Sequence, residues 1–390
     1  MTRDEVLNVV KIIPNNNILL TLPTGFGKTK IAIERIKSLA KNGDTLLIVV
    51  PRNVLKVTWK EELNKWWKNM PIEVEYTTYV SLHKYIGSWT FVIYDECHHL
   101  SERCRDIIRD FKAKYSTLLS ATVSRDLKIE FKNIFNNLYH LNATLRSAII
   151  DRVLPDPIVY LLPLTLDNTR STETIIKNPK AKGLIIRCPY KDRWSYIKQK
   201  NNPVYISCTQ QQCLEDLNSQ IEYYKKRRGN AVCKNIWLRL CGDRLKYLSN
   251  WKTPIVLNIL KYCKNHRTLT FCNSIEQTEV LGKYCINSKN RDSSNNLLLF
   301  NTGKIKHITA CNMLNEGTNL TNCKIGIYAN LNSSETIIKQ RTGRLLRHAE
   351  PVIIIPYYKN TREEELVKKM LEDYNPALIH NVNFVEEIKL

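Results

Sequence analysis

Two short runs of residues in this chain have the types and spacing for phosphate chemistry. Pro23-Thr24-Gly25-Phe26-Gly27-Lys28-Thr29 follows an apolar run, Ile18 to Leu22, and precedes the helical pattern KTKIAIERIKSLA. In a strand, turn and helix setting, such glycines let backbone N–H groups close around a phosphate that a Cβ would keep out. Thr24, Gly25, Phe26 and Gly27 then form the cradle, Lys28 reaches the outer phosphates of a nucleotide and Thr29 offers its hydroxyl to Mg2+. The first position of the strict G-x-x-x-x-G-K-[ST] pattern is Leu22 rather than Gly. The second run, FVIYDECHH, ends an apolar strand on Asp95 and Glu96, where charged side chains would otherwise be costly. Asp95 reads as the holder of Mg2+ through its waters and Glu96 as the residue that aligns an attacking water. His98 and His99 with Cys97 and Cys104 raise the alternative of a metal centre; a polar coupling role for His98 is the preferred reading, and no structural metal is expected.

Hydrolysis of this type gains about 10³ to 10⁵ in rate from an arginine placed across the terminal phosphate. The chain offers arginines late, in Gln340-Arg341-Thr342-Gly343-Arg344-Leu345-Leu346-Arg347. On a helix, Arg344 and Arg347 are three apart and share one face. The alternative is a basic amphipathic surface helix.

These groups need a scaffold, and the sequence repeats one. ILLTL, TLLIVV, FVIYDE and STLLSAT are short β-branched runs separated by turns and helical patterns, and TLTFCNS, HITACNM, KIGIYAN and PVIIIPYY repeat the theme. That alternation is the signature of parallel sheets covered on both faces, hence an α/β fold with two lobes. The expected organisation is lobe 1 over residues 1–148, a linker entering the second lobe over 149–166, a basic α+β insertion over 167–250 and lobe 2 over 251–390. PDPIVYLLPLTL reads as the extended linker, GLIIRCPY and PVYISCT as a strand pair, Thr209 as a helix cap, and the patch from Leu297 to Phe300 as a short helix.

Composition narrows the partners. With 43% apolar and 25% charged residues the chain carries enough hydrophobic material for more than one core, which excludes global disorder. The longest apolar runs have strand length, far short of the roughly 18 residues that span a bilayer. The first residues carry Asp4 and Glu5 where a secretory signal would be basic and then apolar. A soluble cytoplasmic protein is expected. The 59 Lys and Arg against 37 Asp and Glu leave a formal +22, which attracts polyanions. Residues 170–250 alone hold 17 basic and 6 acidic side chains. Of 12 cysteines none forms a C-x-x-C pair, so free thiols are the default.

PTGFGKT, VVPRNVL, TTYVSL, DECH, SAT, TFCNS, NEGTNL and QRTGRLLR occur in the order of the helicase motifs of superfamily 2. The chain resembles a compact DExH-type helicase or translocase, most similar to small bacterial and phage members, over nearly its whole length apart from the insertion. The resemblance implies two tandem RecA-like lobes, active as a monomer, that bind ATP and Mg2+ in the cleft between them. It places Lys28, Thr29, Asp95, Glu96, Gln340, Arg344 and Arg347 in a composite ATP site, with Gly317 and Asn319 of NEGTNL beside the nucleotide. Ser120 and Thr122, with His98, would couple nucleotide state to lobe closure. Pro51, Arg52, Thr77, Tyr79, Asn273 and Thr309 would lie along a nucleic-acid strand, which the resemblance favours as single-stranded or branched DNA, with RNA as the alternative. The chain departs from the family in three places: residues 1–20 contain no Gln for the usual adenine-reading element, Asn319 stands where Asp is common, and Cys311 where a strand-contacting Thr is frequent, with Thr309 nearby. In the insertion, basic residues alternate with Tyr190, Trp194 and Tyr196 before YYKKRR. They are either an auxiliary nucleic-acid grip or the small core of a mini-domain.

Overall fold

A computed structural model describes residues 1–13, 16–177, 204–311, 320, 322–331 and 335–390. It contains two parallel sheets, as the repeated β-branched runs require. The first holds β1 (Asn17–Thr21), β2 (Thr45–Val50), β3 (Glu73–Thr78), β4 (Ser88–Tyr94), β5 (Lys112–Ser120) and β6 (Tyr139–Asn142) in the order β3-β2-β4-β5-β1-β6. Helices α1 (Arg3–Ile12), α2 (Lys28–Leu39), α3 (Asn53–Trp66), α4 (Glu102–Arg109), α5 (Arg125–Ile134) and α6 (Leu145–Ile150) accompany these strands. Two apolar clusters, one containing Leu20, Ile48 and Ile93 and the other Leu19, Leu47 and Val92, take alternate residues of the same strands. The central strands are therefore buried on both faces, which is why they read as unbroken apolar runs, whereas the edge strands β3 and β6 are partly exposed.

The topology concentrates chemistry at one edge. β4, β5 and β1 are neighbours, and their C-terminal ends carry DECH, SAT and the glycine loop respectively. Ligands of parallel α/β sheets sit outside this end of the strands.

The second sheet has the order β11-β12-β10-β13-β14-β7-β15, built from β7 (Ile158–Leu164), β10 (Thr268–Cys272), β11 (Cys285–Ile286), β12 (His307–Cys311), β13 (Ile325–Tyr328), β14 (Val352–Tyr358) and β15 (Ile379–Asn381). The linker thus ends as a full strand between β14 and β15, with Pro163 opposite Tyr357. Helices α9 (Ile275–Leu281), α10 (Ser293–Asn301), α11 (Glu335–Leu345) and α12 (Arg362–Leu371) complete this lobe, α10 being the helix expected around Leu297.

The insertion has its own small sheet, β8 (Glu173–Lys177) antiparallel to β9 (Val204–Cys208), followed by α7 (Gln210–Lys225), capped by Thr209, and α8 (Ala231–Tyr262). The partner of β9 is therefore Glu173–Lys177; the expected partner, GLIIRCPY, lies outside the described residues, as do Tyr190, Trp194 and Tyr196. Its core of Ile175, Leu214, Leu217, Ile221 and Leu248 packs on Tyr358 of β14. No break separates insertion from lobe 2 near residue 250, because α8 runs through it for 32 residues, about 48 Å.

Candidate functional site

The glycine loop has the conformation its sequence calls for. Gly25 and Gly27 adopt φ of 89° and 102°, a region that side chains with a Cβ avoid. Phe26 is fully buried beneath the loop, and Lys28 and Thr29 open α2. In this structure the Lys28 ammonium donates to the Leu22 carbonyl at 3.0 Å, inside the loop it is expected to serve. No side chain caps α2 and no acidic residue lies in its first turn, whereas Thr2, Ser101, Ser124 and Thr144 cap α1, α4, α5 and α6. The N–H groups at the start of α2 thus have no side-chain acceptor and suit an anion.

Arg3 of α1 is a contributor the sequence reading missed. Its Nε donates to the Phe26 carbonyl at 2.9 Å and its Nη2 to the Gly25 carbonyl at 2.8 Å. Holding both carbonyls on one side turns the following trans-peptide N–H of Gly27 to the other. Nothing in the spacing of Arg3 from the loop announces this contact.

Asp95 and Glu96 leave β4 in different environments. The Asp95 carboxylate is nearly buried; its Oδ2 accepts from the Trp59 indole of α3 at 2.8 Å and its Oδ1 from the Glu96 N–H at 3.0 Å. Burial, followed by the adjacent Glu96 charge, pushes its pKa up to about 6, while Trp59 and Lys28 work in the other direction. Glu96 has φ 47° and ψ 53°, a left-handed conformation rare for a residue with a long side chain and typical of strain held at a functional position.

His98 connects Glu96 to SAT. Its Nδ1 lies 3.4 Å from Glu96 Oε2 and 3.0 Å from Ser120 Oγ. Ser120 donates its single hydroxyl proton to the Thr122 carbonyl at 2.7 Å and accepts from the Thr122 N–H at 3.2 Å. The His98 contact must therefore be donated by the ring, which places a hydrogen on Nδ1. A cavity of about 500 Å³ opens beside His98 and Thr122, walled also by Thr21, Pro23, Ser124 and Lys128.

The two lobes meet at the loop itself. Gly343 of α11 packs against Thr24 so closely that a Cβ there would lie 2.4 Å from Thr24 Cβ and 2.6 Å from Thr24 O. In return, a Cβ on Gly25 would meet the Gly343 carbonyl and Leu154 of the linker, each at 3.2 Å. α11 is fixed behind this contact, with Thr342 bonded to the hydroxyls of Tyr328 at 2.8 Å and Tyr374 at 3.1 Å. Arg344, the next residue after Gly343, is buried. Arg347 lies in the turn after α11, which ends at Leu345, so the expected shared helix face with Arg344 is not what the structure has. The Arg347 side chain as a whole is exposed, yet crowding around its head lowers the guanidinium pKa and Glu62 of lobe 1 raises it. Gln340 sits on α11; Gly317 and Asn319 lie outside the described residues.

The expected strand-contacting residues divide. Pro51 and Arg52 stand partly or fully exposed at the start of α3, a helix that also lacks a side-chain cap. Thr77 is buried with its hydroxyl turned to the Thr78 carbonyl, and Tyr79 is buried with its hydroxyl donating to the Asp95 carbonyl at 2.6 Å. Both are corrections: Tyr79 holds the Asp95 backbone from within, Thr77 is enclosed at the end of β3, and exposed Val80 is the residue of that motif facing out. Thr309 is likewise corrected, being fully buried and bonded to the Thr278 carbonyl at 3.0 Å. Asn273 is half-buried; its Nδ2 donates to the Leu331 carbonyl and its Oδ1 accepts from Arg341. Among the described residues no group of His, Cys, Asp and Glu could hold a structural metal, and no helix is long and apolar enough to cross a membrane.

Comparison with known proteins agrees with this arrangement. A family described as type III restriction enzyme, res subunit, matches residues 4–84, and one described as helicase conserved C-terminal domain matches residues 251–349. A protein of Acanthamoeba polyphaga mimivirus named as a helicase, L115, is 25% identical over 181 residues, a stretch that is 36% of this chain and 13% of that relative. The Pyrococcus furiosus Hef helicase domain has the same fold over 94% of this chain and 97% of its own, with TM-score 0.54 and 15% identity. Saccharomyces cerevisiae Dbp5 bound to RNA and ADP BeF3 shares it over 97% of this chain and 88% of its own, with TM-score 0.56 and 12% identity. One family match carries the glycine loop, the other the arginine helix, and the two lobes bring them together: in both halves the chain is similar to the superfamily 2 helicases.

Proposed function

We propose that this chain is a DExH-type, ATP-dependent DNA helicase or translocase that hydrolyses ATP between its lobes and moves along a strand in replication, recombination or repair. The observation that carries this is the seating of Gly343 on Thr24, which puts the arginine-bearing helix directly over the glycine loop. Thr24 to Gly27 cradle the phosphates, Lys28 exchanges the Leu22 carbonyl for a phosphate oxygen, and Gln340, Arg344 and Arg347 approach from lobe 2.

Mg2+ suits this pocket, because Asp95 and Thr29 are hard oxygen donors beside the uncapped end of α2; when bound it neutralises charge on the phosphates. Glu96 aligns the attacking water and takes its proton on a carboxylate oxygen. The Nδ1–H of His98, fixed between Glu96 and Ser120, ties the water-aligning residue to SAT, so loss of the terminal phosphate reaches Thr122 and the lobe interface. Pro51 and Arg52 contact the strand through its phosphates, independent of sequence. The exposed cations Lys225, Lys226, Arg227 and Arg228, between α7 and α8, are an auxiliary grip on the nucleic acid.

The family match of residues 4–84 favours one second reading, a translocating motor of a restriction assembly that does not part strands. Hydrolysis measured across single-stranded, duplex and forked DNA and the matching RNAs, at two salt concentrations, tests the proposal. Stimulation by DNA that weakens steeply with salt, with displacement of a labelled strand, supports it; stimulation without displacement supports the second reading, and preference for RNA forms overturns the DNA assignment.

A further inference from the structure

Helix α8 joins two regions that the proposed function treats separately. Its first turns carry exposed Lys234 and Arg239 beside the cationic tip, where Arg227 also stacks on Tyr223 at 3.7 Å. Its last turns belong to the lobe 2 core through Val256 and Ile259. Between them stands Pro254, which has no N–H for the Asn250 carbonyl and so interrupts the helix ladder just beyond Ser249. A polar cluster gathers beside this missing hydrogen bond. Gln277 Nε2 donates to the Ser249 carbonyl and to Thr253 Oγ1, both at 3.3 Å, and Thr253 Oγ1 donates to the Ser249 carbonyl at 2.9 Å. Asn330 Nδ2 donates to Ser249 Oγ at 3.0 Å and also to Gln277 Oε1.

Asn330 lies just past β13, and its neighbour Leu331 continues the chain of contacts. The Leu331 carbonyl accepts from Asn273, whose Oδ1 accepts from both Arg341 Nη atoms at 3.5 Å; Arg341 Nη2 also donates to the Cys272 carbonyl at 3.4 Å. Arg341 is two residues from Gly343, the contact with lobe 1. Ser249, Gln277, Asn330 and Arg341 are each at most 4% exposed. Polar groups so deeply buried are high-stakes, since a shift of one member leaves another without its partner.

We propose that Ser249, Gln277, Asn330 and Asn273 are positioning residues that relay engagement of nucleic acid by the α7–α8 tip to Arg341, and thereby set how α11 seats on the glycine loop. The relay rests on the proposed function, with the hairpin as a grip. α8 is the lever, the missing ladder hydrogen bond at Pro254 the point where it can flex, and the buried polar side chains the linkage. ATP turnover is then responsive to what the hairpin holds, beyond what the strand in the interlobe groove dictates.

The test compares hydrolysis by the full chain with and without a forked DNA, in Asn330→Ala, in Ser249→Ala, in a variant with Lys225, Lys226, Arg227 and Arg228 all replaced by Glu, and in the combinations. The relay predicts that Ser249→Ala and Asn330→Ala each lower the fork-stimulated to unstimulated ratio at least threefold without raising the fork concentration for half-maximal stimulation. It also predicts that neither lowers the ratio further once the hairpin is reversed. Ser249→Ala, which removes one oxygen, keeps the test available if Asn330→Ala folds poorly. Equal falls in both rates, or effects that multiply with the hairpin reversal, overturn the relay while the proposed function stands. Absence of any stimulation in the unaltered chain overturns both.

Discussion

Replacing Gly343 with alanine perturbs the interlobe contact with a single methyl group. The added Cβ would sit 2.6 Å from the Thr24 carbonyl oxygen and 3.0 Å from its carbon, both backbone atoms of a loop fixed by Arg3 and by the turn from Phe26 N to Pro23 O. Ordinary contact requires the lobes to separate there by roughly 1 Å, and a displacement of that size at a reacting centre costs about 10²-fold in rate. Gly343→Ala should therefore lower DNA-stimulated ATP turnover by about 10²-fold while the affinity for ADP, which the proposed site assigns mainly to lobe 1, changes little. Turnover by stopped assay and ADP binding by fluorescence read the two quantities. Unchanged turnover in a folded Gly343→Ala protein would show that this seating of α11 on Thr24 is not the arrangement that hydrolyses ATP.

The remaining predictions concern lobe 1. Lys28→Ala and Glu96→Gln should each remove stimulated hydrolysis, the first with weakened nucleotide binding and the second with nucleic-acid affinity retained, as read by filter binding. Trp59→Phe deletes one donor to the buried Asp95 carboxylate, worth about 1.5 to 3 kcal/mol for a charged acceptor, and should raise the Mg2+ concentration needed for half-maximal hydrolysis. With the Asp95 pKa raised to about 6, the carboxyl takes up a proton as pH falls through that value and, in the proposed role, would no longer hold Mg2+. The Mg2+ requirement should accordingly be flat above about pH 7 and climb about tenfold per pH unit well below 6, a profile that titrations of activity against Mg2+ at several pH values would reveal.

Much of this was legible in the chain. Gly-rich loop, DECH and SAT each follow an apolar run of strand length, and the parallel order of β4, β5 and β1 brings them together as the alternating pattern implies. Helix faces and surface assignments were harder. Thr309 sits in a strand buried on both faces, so alternation gives no sign of which side meets solvent, while Thr77 and Tyr79 lie where the edge strand β3 passes from exposed to buried residues, and all three turned inward. Arg3 and Trp59 act on the site through contacts spanning tens of residues of chain, 22 and 36 apart, for which neither spacing nor residue type is a signal. The pairing of β9 with Glu173–Lys177 was not foreseen, because that stretch lies where the chain leaves the linker and is less apolar than GLIIRCPY.

The most direct measurement is the single-turnover rate of ATP hydrolysis in Arg344→Ala, made with enzyme in excess and DNA saturating. A composite site predicts a fall of about 10³-fold or more in the chemical step with ATP affinity nearly intact, since the guanidinium acts on the transition state. An unchanged rate would mean that lobe 1 hydrolyses ATP alone and that the closure of α11 over the glycine loop has no part in the chemistry.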